Sequence, residues 1–298
     1  MRTGGKITVL VLGALVLWPS LAQAEGWQWR RGGWSDALRR QHGGVAGELG
    51  LFAGERRGTK YVSASPRLGF WWNPAEHFEL SADWGMAYWK ADQDGGATEK
   101  EFRFGNPVVN GYWIGPAGDM VLAAGAGIGI PAATLPDDTL GRGQARNTYS
   151  YAAATRGLWN VWEWYPGALT VVVPARLETK SNRHLLAALD ASMGIPIHVR
   201  YGDGAELVLQ WAGEIGYRHQ AVSFGARMQF VWLATKDEDD VLLDSMLQMA
   251  LEPFFRINIG QGFIHTRLTM NLDDPFGWSF DDGPRDIWGL HLGGGGRW

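Results

Sequence analysis

The stretch that decides the fold is Phe78–Lys90, with the sequence FELSADWGMAYWK. Its even positions from 78 to 88 carry no charge, and they read Phe78, Leu80, Ala82, Trp84, Met86 and Tyr88. Its odd positions include two carboxylates, Glu79 and Asp83. Because successive side chains of a β-strand point to opposite faces, the stretch predicts a strand with one apolar and one polar face. It is also about long enough to cross the hydrocarbon core of a bilayer.

Eleven further segments show the same alternation. They are Val45–Ala53, Val62–Trp72, Phe102–Ile114, Met120–Ile130, Leu169–Thr179, Leu185–Arg200, Leu207–Tyr217, Val222–Ala234, Leu247–Ile257, Ile264–Leu272 and Trp288–Trp298. In Phe102–Ile114, unbroken alternation places Asn106 and Asn110 on the otherwise apolar face. Together the segments predict an all-β fold, a transmembrane antiparallel up-and-down β-barrel of about 12 strands. Ten and fourteen strands remain open.

The composition favours a membrane barrel over a soluble domain. The 298 residues include 17 tryptophans, 42 glycines and no cysteine, and 19% are charged. A soluble domain would have to bury so many indoles, whereas membrane proteins place them in belts at the lipid headgroups. The lack of cysteine excludes disulfides and thiolate metal sites. A net charge of −4 gives no reason to expect a nucleic-acid partner.

The N-terminal sequence predicts export. Residues 1–24 carry Arg2 and Lys6 before an apolar run and end on Ala22-Gln23-Ala24, which is typical of a cleaved signal peptide. After it, no stretch approaches the roughly 18 apolar residues of a membrane-spanning helix. Residues 25–44 are expected to form an N-terminal periplasmic segment or a small plug. Residues 45–298 are expected to form the barrel, with short turns on the periplasmic side, where both termini lie.

The C-terminus carries a family resemblance. The chain stops on Trp298, with Leu292, Leu290 and Trp288 at even spacing before it. This segment resembles the closing strand of Gram-negative outer-membrane β-barrels, which commonly ends on an aromatic residue read by the insertion machinery. It departs from that pattern at Gly293–Gly296, where two outward positions lack side chains. The resemblance implies an outer-membrane location, contact with outer-membrane lipids and lipopolysaccharide, and recognition of Trp298 by the barrel-insertion machinery.

The inward faces of the predicted strands concentrate ionisable residues. We expect fourteen of them to line the lumen: Glu48, Glu79, Asp83, Arg103, Arg176, Glu178, Asp190, Glu214, Arg227, Glu252, Arg256, His265, Arg267 and His291. Such residues can select permeants by charge and size in a pore. They can equally form a salt-bridged lattice that fills the barrel and only stabilises it. The sequence leaves both interpretations open.

The longest connection, residues 131–167, is the second candidate site. Its alanine run and the spacing of Leu158, Trp159 and Trp162 favour a helix. The connection resembles the long porin loop that folds into the barrel and narrows it. That resemblance implies that Arg156, Trp159, Trp162 and Glu163 form a constriction. An extracellular lid and an extra strand pair are the alternatives.

These features predict an outer-membrane channel for passive diffusion of small solutes through a narrow polar lumen. The small-molecule permeant itself is not specified by the sequence. One alternative is uptake of small hydrophobic or aromatic molecules, and another is a closed structural or adhesive barrel. An enzyme is not expected, because His265 and His291 fall on neighbouring inward faces without a nearby inward serine. No cofactor is expected, and no His, Asp or Glu spacing indicates a metal site.

Overall fold

A computed structural model describes most of the chain. The described residues are 43–56, 59–93, 96, 98–180, 184–201, 204–235, 247–273 and 287–298. The predicted signal peptide, residues 1–24, and residues 25–42 of the N-terminal segment lie outside them. Those two assignments therefore stay predictions.

The described residues contain thirteen strand segments. They are β1 (Gly43–Arg56), β2 (Thr59–Ala75), β3 (Phe78–Gln93), β4 (Thr98–Phe104), β5 (Val108–Ala117), β6 (Met120–Gly129), β7 (Ala168–Thr179), β8 (Leu185–His198), β9 (Val208–Arg218), β10 (Val222–Leu233), β11 (Leu247–Ile259), β12 (Gly262–Asn271) and β13 (Trp288–Arg297). Both β4 and β5 pair with β3, so the thirteen segments occupy twelve positions. Neighbours are antiparallel throughout, and β13 pairs with β1 to close the ring. The predicted all-β, up-and-down barrel of 12 strands is confirmed.

The alternation of the sequence sets the two faces of the wall. Inward and outward residues follow the predicted parity on eleven of the twelve strand positions. Exposed aromatic rings surround the end with the short turns: Trp72, Phe78, Trp113, Tyr217, Phe224 and Trp298. Such a girdle is typical of side chains at the lipid headgroups. The outer surface is therefore apolar and suited to contact with lipid, and the polar side chains lie inside.

The exception is the position shared by β4 and β5. The two strands are separated by Gly105-Asn106-Pro107, where the ladder is interrupted and proline offers no N–H. The break reverses the parity, so Trp113 is 52% exposed while Asn106 and Asn110 are buried inside. The prediction that these two asparagines interrupt the apolar face was wrong, because it assumed unbroken alternation through Pro107.

The connections alternate in length around the barrel. The turns after β2, β5, β7, β9 and β11 are short and lie at the end where β1 begins and β13 ends. The longest connection follows β6 at the opposite end and returns to β7, which is the strand next to β6. None of the described helices is long and apolar enough to cross a membrane.

Among the described residues, the helical structure lies in residues 131–167, called the inserted segment below. Helix α1 (Thr139–Ala154) begins after Asp138, whose carboxylate accepts a hydrogen bond from Gly141 N at 2.7 Å. It ends before the tryptophans, and a short 3₁₀ helix follows at Val161–Trp164. The prediction that Leu158, Trp159 and Trp162 share one face of a helix is therefore wrong. Gly157, Leu158 and Asn160 have positive φ, which breaks a right-handed helix.

Candidate functional site

The inserted segment lies inside the barrel. Trp159, Trp162 and Trp164 are almost fully buried. Two inward glycines make room for their rings: a Cβ on Gly194 would lie 2.3 Å from the Trp162 ring, and one on Gly85 would lie 2.6 Å from the Trp164 ring. These distances are shorter than van der Waals contact. The wall is therefore shaped to receive these indoles.

Side chains of the wall hydrogen-bond the backbone of the inserted segment where its helix has ended. The donors are Asn271 Nδ2 to Ala154 O at 2.8 Å, His291 Nε2 to Thr155 O at 2.8 Å, Gln229 Nε2 to Arg156 O at 2.7 Å, Gln210 Nε2 to Leu158 O at 3.4 Å and Asn106 Nδ2 to Trp162 O at 3.0 Å. A buried carbonyl without a hydrogen bond is unfavourable, and irregular backbone is tolerated at membrane depth only inside protein or a wet cavity. The wall side chains thus supply the hydrogen-bond donors that a continued helix would have supplied to these carbonyls.

Two ion pairs attach the inserted segment to the wall. Arg156 Nη1 donates to Glu48 Oε1 on β1 at 2.7 Å, and the Glu163 carboxylate accepts from Arg67 on β2. Burial raises the pKa of Glu163 and lowers the pKa of Arg156. Burial alone thus disfavours both charges, so each of them depends on its partner in the wall.

A chain of alternating charges runs around the lumen at the depth of Arg156. We call Arg176, Asp190, Arg227, Glu252, Arg267 and Glu48 the ionic layer. Its successive N–O distances are 2.7 Å for Arg176–Asp190, 3.4 Å for Asp190–Arg227, 3.3 Å for Arg227–Glu252, 2.9 Å for Glu252–Arg267 and 3.0 Å for Arg267–Glu48. Each interior carboxylate of the chain lies between two guanidinium groups.

Further predicted residues join the ionic layer at its two ends. Arg176 also pairs with Glu178 at 2.9 Å and Glu214 at 3.3 Å. At the other end, His265 Nε2 lies 3.1 Å from Glu48 Oε2, and His291 Nδ1 lies 3.5 Å from Glu48 Oε1. The layer contacts the inserted segment a second time, because the Arg227 guanidinium lies 4.0 Å from the centre of the Trp159 ring.

The structure separates three predicted lumen residues from the layer. Arg103 pairs with Glu101 at 2.6 Å near the end with the long connections. Glu79 accepts a hydrogen bond from Asn73 Nδ2 at 3.3 Å near the opposite end. The guanidinium of Arg256 lies 4.0 Å from the Phe263 ring centre, also near that end. A fourth predicted lumen residue, Asp83, also lies outside the layer, 3.6 Å from Arg67 Nη2.

Sequence reasoning that looked for charges missed the uncharged members of the site. Gln210, Gln229 and Asn271 lie at inward positions of the predicted strands. An amide side chain at an inward position is the sequence feature that could have identified them. Asn106 was assigned to the wrong face. Arg67 also faces inward, but only the fold shows that it meets Glu163, 96 residues away.

The fold is that of a Gram-negative outer-membrane β-barrel. An outer-membrane channel from Pseudomonas putida F1 is similar, with a TM-score of 0.57 and 9% identity over 87% of this chain and 95% of that one. The NanC porin is similar with a TM-score of 0.50 and 8% identity over 85% and 98% of the two chains. At such identity the likeness concerns the fold alone. Protein-family models and curated proteins gave no match to this sequence.

Proposed function

We propose that the protein is an outer-membrane channel through which small solutes diffuse passively, and that the inserted segment sets the width of the route. The apolar outer face, the aromatic girdle and the closed ring support a location in the outer membrane. The polar inner face supports passage of water-soluble molecules. The lipid and lipopolysaccharide contacts, and the reading of Trp298 by the insertion machinery, belong to this proposal.

The observation that carries the proposal is the junction of the ionic layer with the inserted segment. The layer holds both signs of charge in the lumen, and the segment meets it through Arg156 and Trp159. Charged rings in a narrow lumen select permeants by sign and size. A twelve-stranded barrel is narrower than the sixteen-stranded porins, so one inserted segment is enough to control its lumen.

The closed structural barrel is the competing interpretation, and it also has an observation in its favour. The charges of the layer neutralise one another pairwise, and the wall hydrogen-bonds successive carbonyls of the inserted segment. A lumen filled in this way is stable without conducting. Conductance therefore separates the two candidates directly.

The test is single-channel recording of the refolded full chain in a planar bilayer. Gly129 pairs with Thr170, so a four-residue Gly/Ser turn can replace residues 133–166 without moving β6 or β7. We expect small discrete openings from the wild type and several-fold larger openings from this variant. Heat-modifiable mobility on gels confirms that each protein is folded. Silence from the folded wild type would overturn the proposal and favour the closed barrel, whether or not the variant conducts.

Selectivity gives a matched comparison within the same recordings. Arg227→Met removes one cation from the ionic layer, and Arg103→Met removes one near the mouth. We expect the reversal potential in a salt gradient to move towards cation selectivity for Arg227→Met, and to move less for Arg103→Met. Equal shifts would contradict a selective role for the layer.

A further inference from the structure

A small cavity lies between the inserted segment and the wall. Its polar lining consists of Arg67, Asp83, Asn110, Asn160 and Glu163, contributed by the wall and by the segment. Its volume is about 10 Å³, which is roughly the space that a single water molecule needs. The cavity is therefore of a size for a small guest such as a water molecule or a small ion.

Three carboxylate oxygens in this lining lack hydrogen bonds. Asp83 is 2% exposed and Glu163 is 1% exposed. Asp83 Oδ1, Asp83 Oδ2 and Glu163 Oε2 have no hydrogen-bond partner among the described residues. An ionised carboxylate only accepts hydrogen bonds, and a buried polar atom without a partner is unfavourable. Because both oxygens of Asp83 are among the three, this carboxylate indicates a guest that offers positive charge.

The charges around the cavity do not balance. Arg67 Nη2 bonds Glu163 Oε1 and lies 3.6 Å from Asp83 Oδ1. One guanidinium thus faces two carboxylates among the described lining residues. Arg156, outside the lining, also acts on Glu163 but pairs directly with Glu48, so the Asp83 carboxylate keeps the least compensation. A buried charge with little compensation is destabilising. A bound cation of charge +1 removes this imbalance.

We propose that the cavity binds one small monovalent cation, such as K⁺ or Na⁺, between Asp83 and Glu163. Hard cations prefer oxygen ligands, and the lining supplies carboxylate and amide oxygens. Cation binding at this site is independent of the proposed channel.

Thallium soaking tests occupancy directly. Crystals of the full chain are soaked in thallium acetate, because Tl⁺ replaces K⁺ and scatters anomalously. We expect an anomalous peak in the cavity of the wild type, beside the Asp83 carboxylate. The peak should be absent in crystals of Asp83→Asn that retain a seated inserted segment. An empty cavity in wild-type crystals would overturn the proposal.

Thermal unfolding in detergent gives a second test. Replacing N-methylglucamine chloride by KCl at constant ionic strength should raise the unfolding midpoint of the wild type. The expected rise is about 2–4 °C if the K⁺ concentration is about ten times the dissociation constant. Asp83→Asn should lose this dependence. Asp92→Asn is the matched control, because Asp92 lies far along the same strand and bonds Thr98. Should K⁺ have no effect on the wild type at any pH, a proton holds the excess charge and the proposal fails.

Conduction separates this inference from the proposed function. A thallium peak in a protein that does not conduct would refute the channel and leave the cation site standing. Conduction without a thallium peak would refute the cation site and leave the channel standing.

Discussion

The barrel wall and the inserted segment both bury their backbone, but they satisfy it in different ways. Apart from the break at Pro107, the strands of the wall bond their neighbours along the ladder, so their side chains are free to form two faces. The inserted segment leaves its helix at Ala154 and then depends on side chains of the wall, among them Gln229 and Asn271. The wall therefore supports itself, whereas the segment is supported by the wall.

This difference predicts which part of the molecule a substitution affects. A change on the inner face alters the seating of the inserted segment and leaves the ladder intact. A change on the outer face alters the free energy of placing the barrel in lipid and leaves the inserted segment in place. The following predictions test this division.

The largest effect is expected where the wall and the segment come closest. A Cβ on Gly289 would lie 2.0 Å from the Thr155 carbonyl oxygen, so Gly289→Val excludes the backbone of the segment from its place. We expect several-fold higher conductance and new tryptic cleavage after Arg156, which is 3% exposed in the native fold. Recording and limited proteolysis in proteoliposomes measure both.

Gly213→Val is the matched control for this substitution. Gly213 lies on β9, and an added Cβ there would meet only Leu189 Cδ2, at 4.0 Å. This variant should keep wild-type conductance and protection of Arg156. If it behaved like Gly289→Val, the effect would come from losing a strand glycine and not from unseating the segment.

An intermediate effect is expected on the outer face. Leu189 is 61% exposed on β8, next to the inward Asp190. Leu189→Arg places a charge in lipid and should lower the free energy of unfolding by about 2–4 kcal/mol. Denaturant unfolding in lipid vesicles measures this, with Leu189→Ala as the control. Cleavage after Arg156 in the folded fraction should not change, and an increase would contradict the division between the two faces.

The smallest effect is expected from the loss of one wall amide. Gln229→Leu leaves the Arg156 carbonyl without its donor and Arg227 Nη1 without one of its acceptors, and it should destabilise the seated segment by about 1–3 kcal/mol. Hydrogen exchange of residues 155–160 should accelerate accordingly. Gln248→Leu is the control, because Gln248 Nε2 donates to Met249 O of its own strand. Similar exchange in both variants would show that the wall amides do not hold the segment.

The wall could be predicted from the sequence because its signal is local. Alternation over about ten residues, as in Phe78–Lys90, indicates both a strand and its two faces. It located all twelve strand positions, the inward faces of their charged residues and the unequal connections. It failed at Pro107, where one break in the ladder reverses the faces.

The site could be predicted only in part because its contacts are distant in sequence. Glu48 and Arg267 are separated by 219 residues, and only the closed ring brings them together. Nothing in the local pattern indicates that Gln229 binds the carbonyl of Arg156, 73 residues away. The position of the inserted segment follows from such pairs and from the glycines opposite its indoles.

The seating contacts also constrain the order in which the molecule assembles. They come from β1, the link between β4 and β5, β9, β10, β12 and β13, which span both ends of the described chain. The set of wall residues that holds the inserted segment is therefore complete only when β13 has paired with β1. Pairing between segments so distant along the chain is slow. Residues 131–167 follow β6 in the first half of the chain, yet they can make all of these contacts only after the ring has closed.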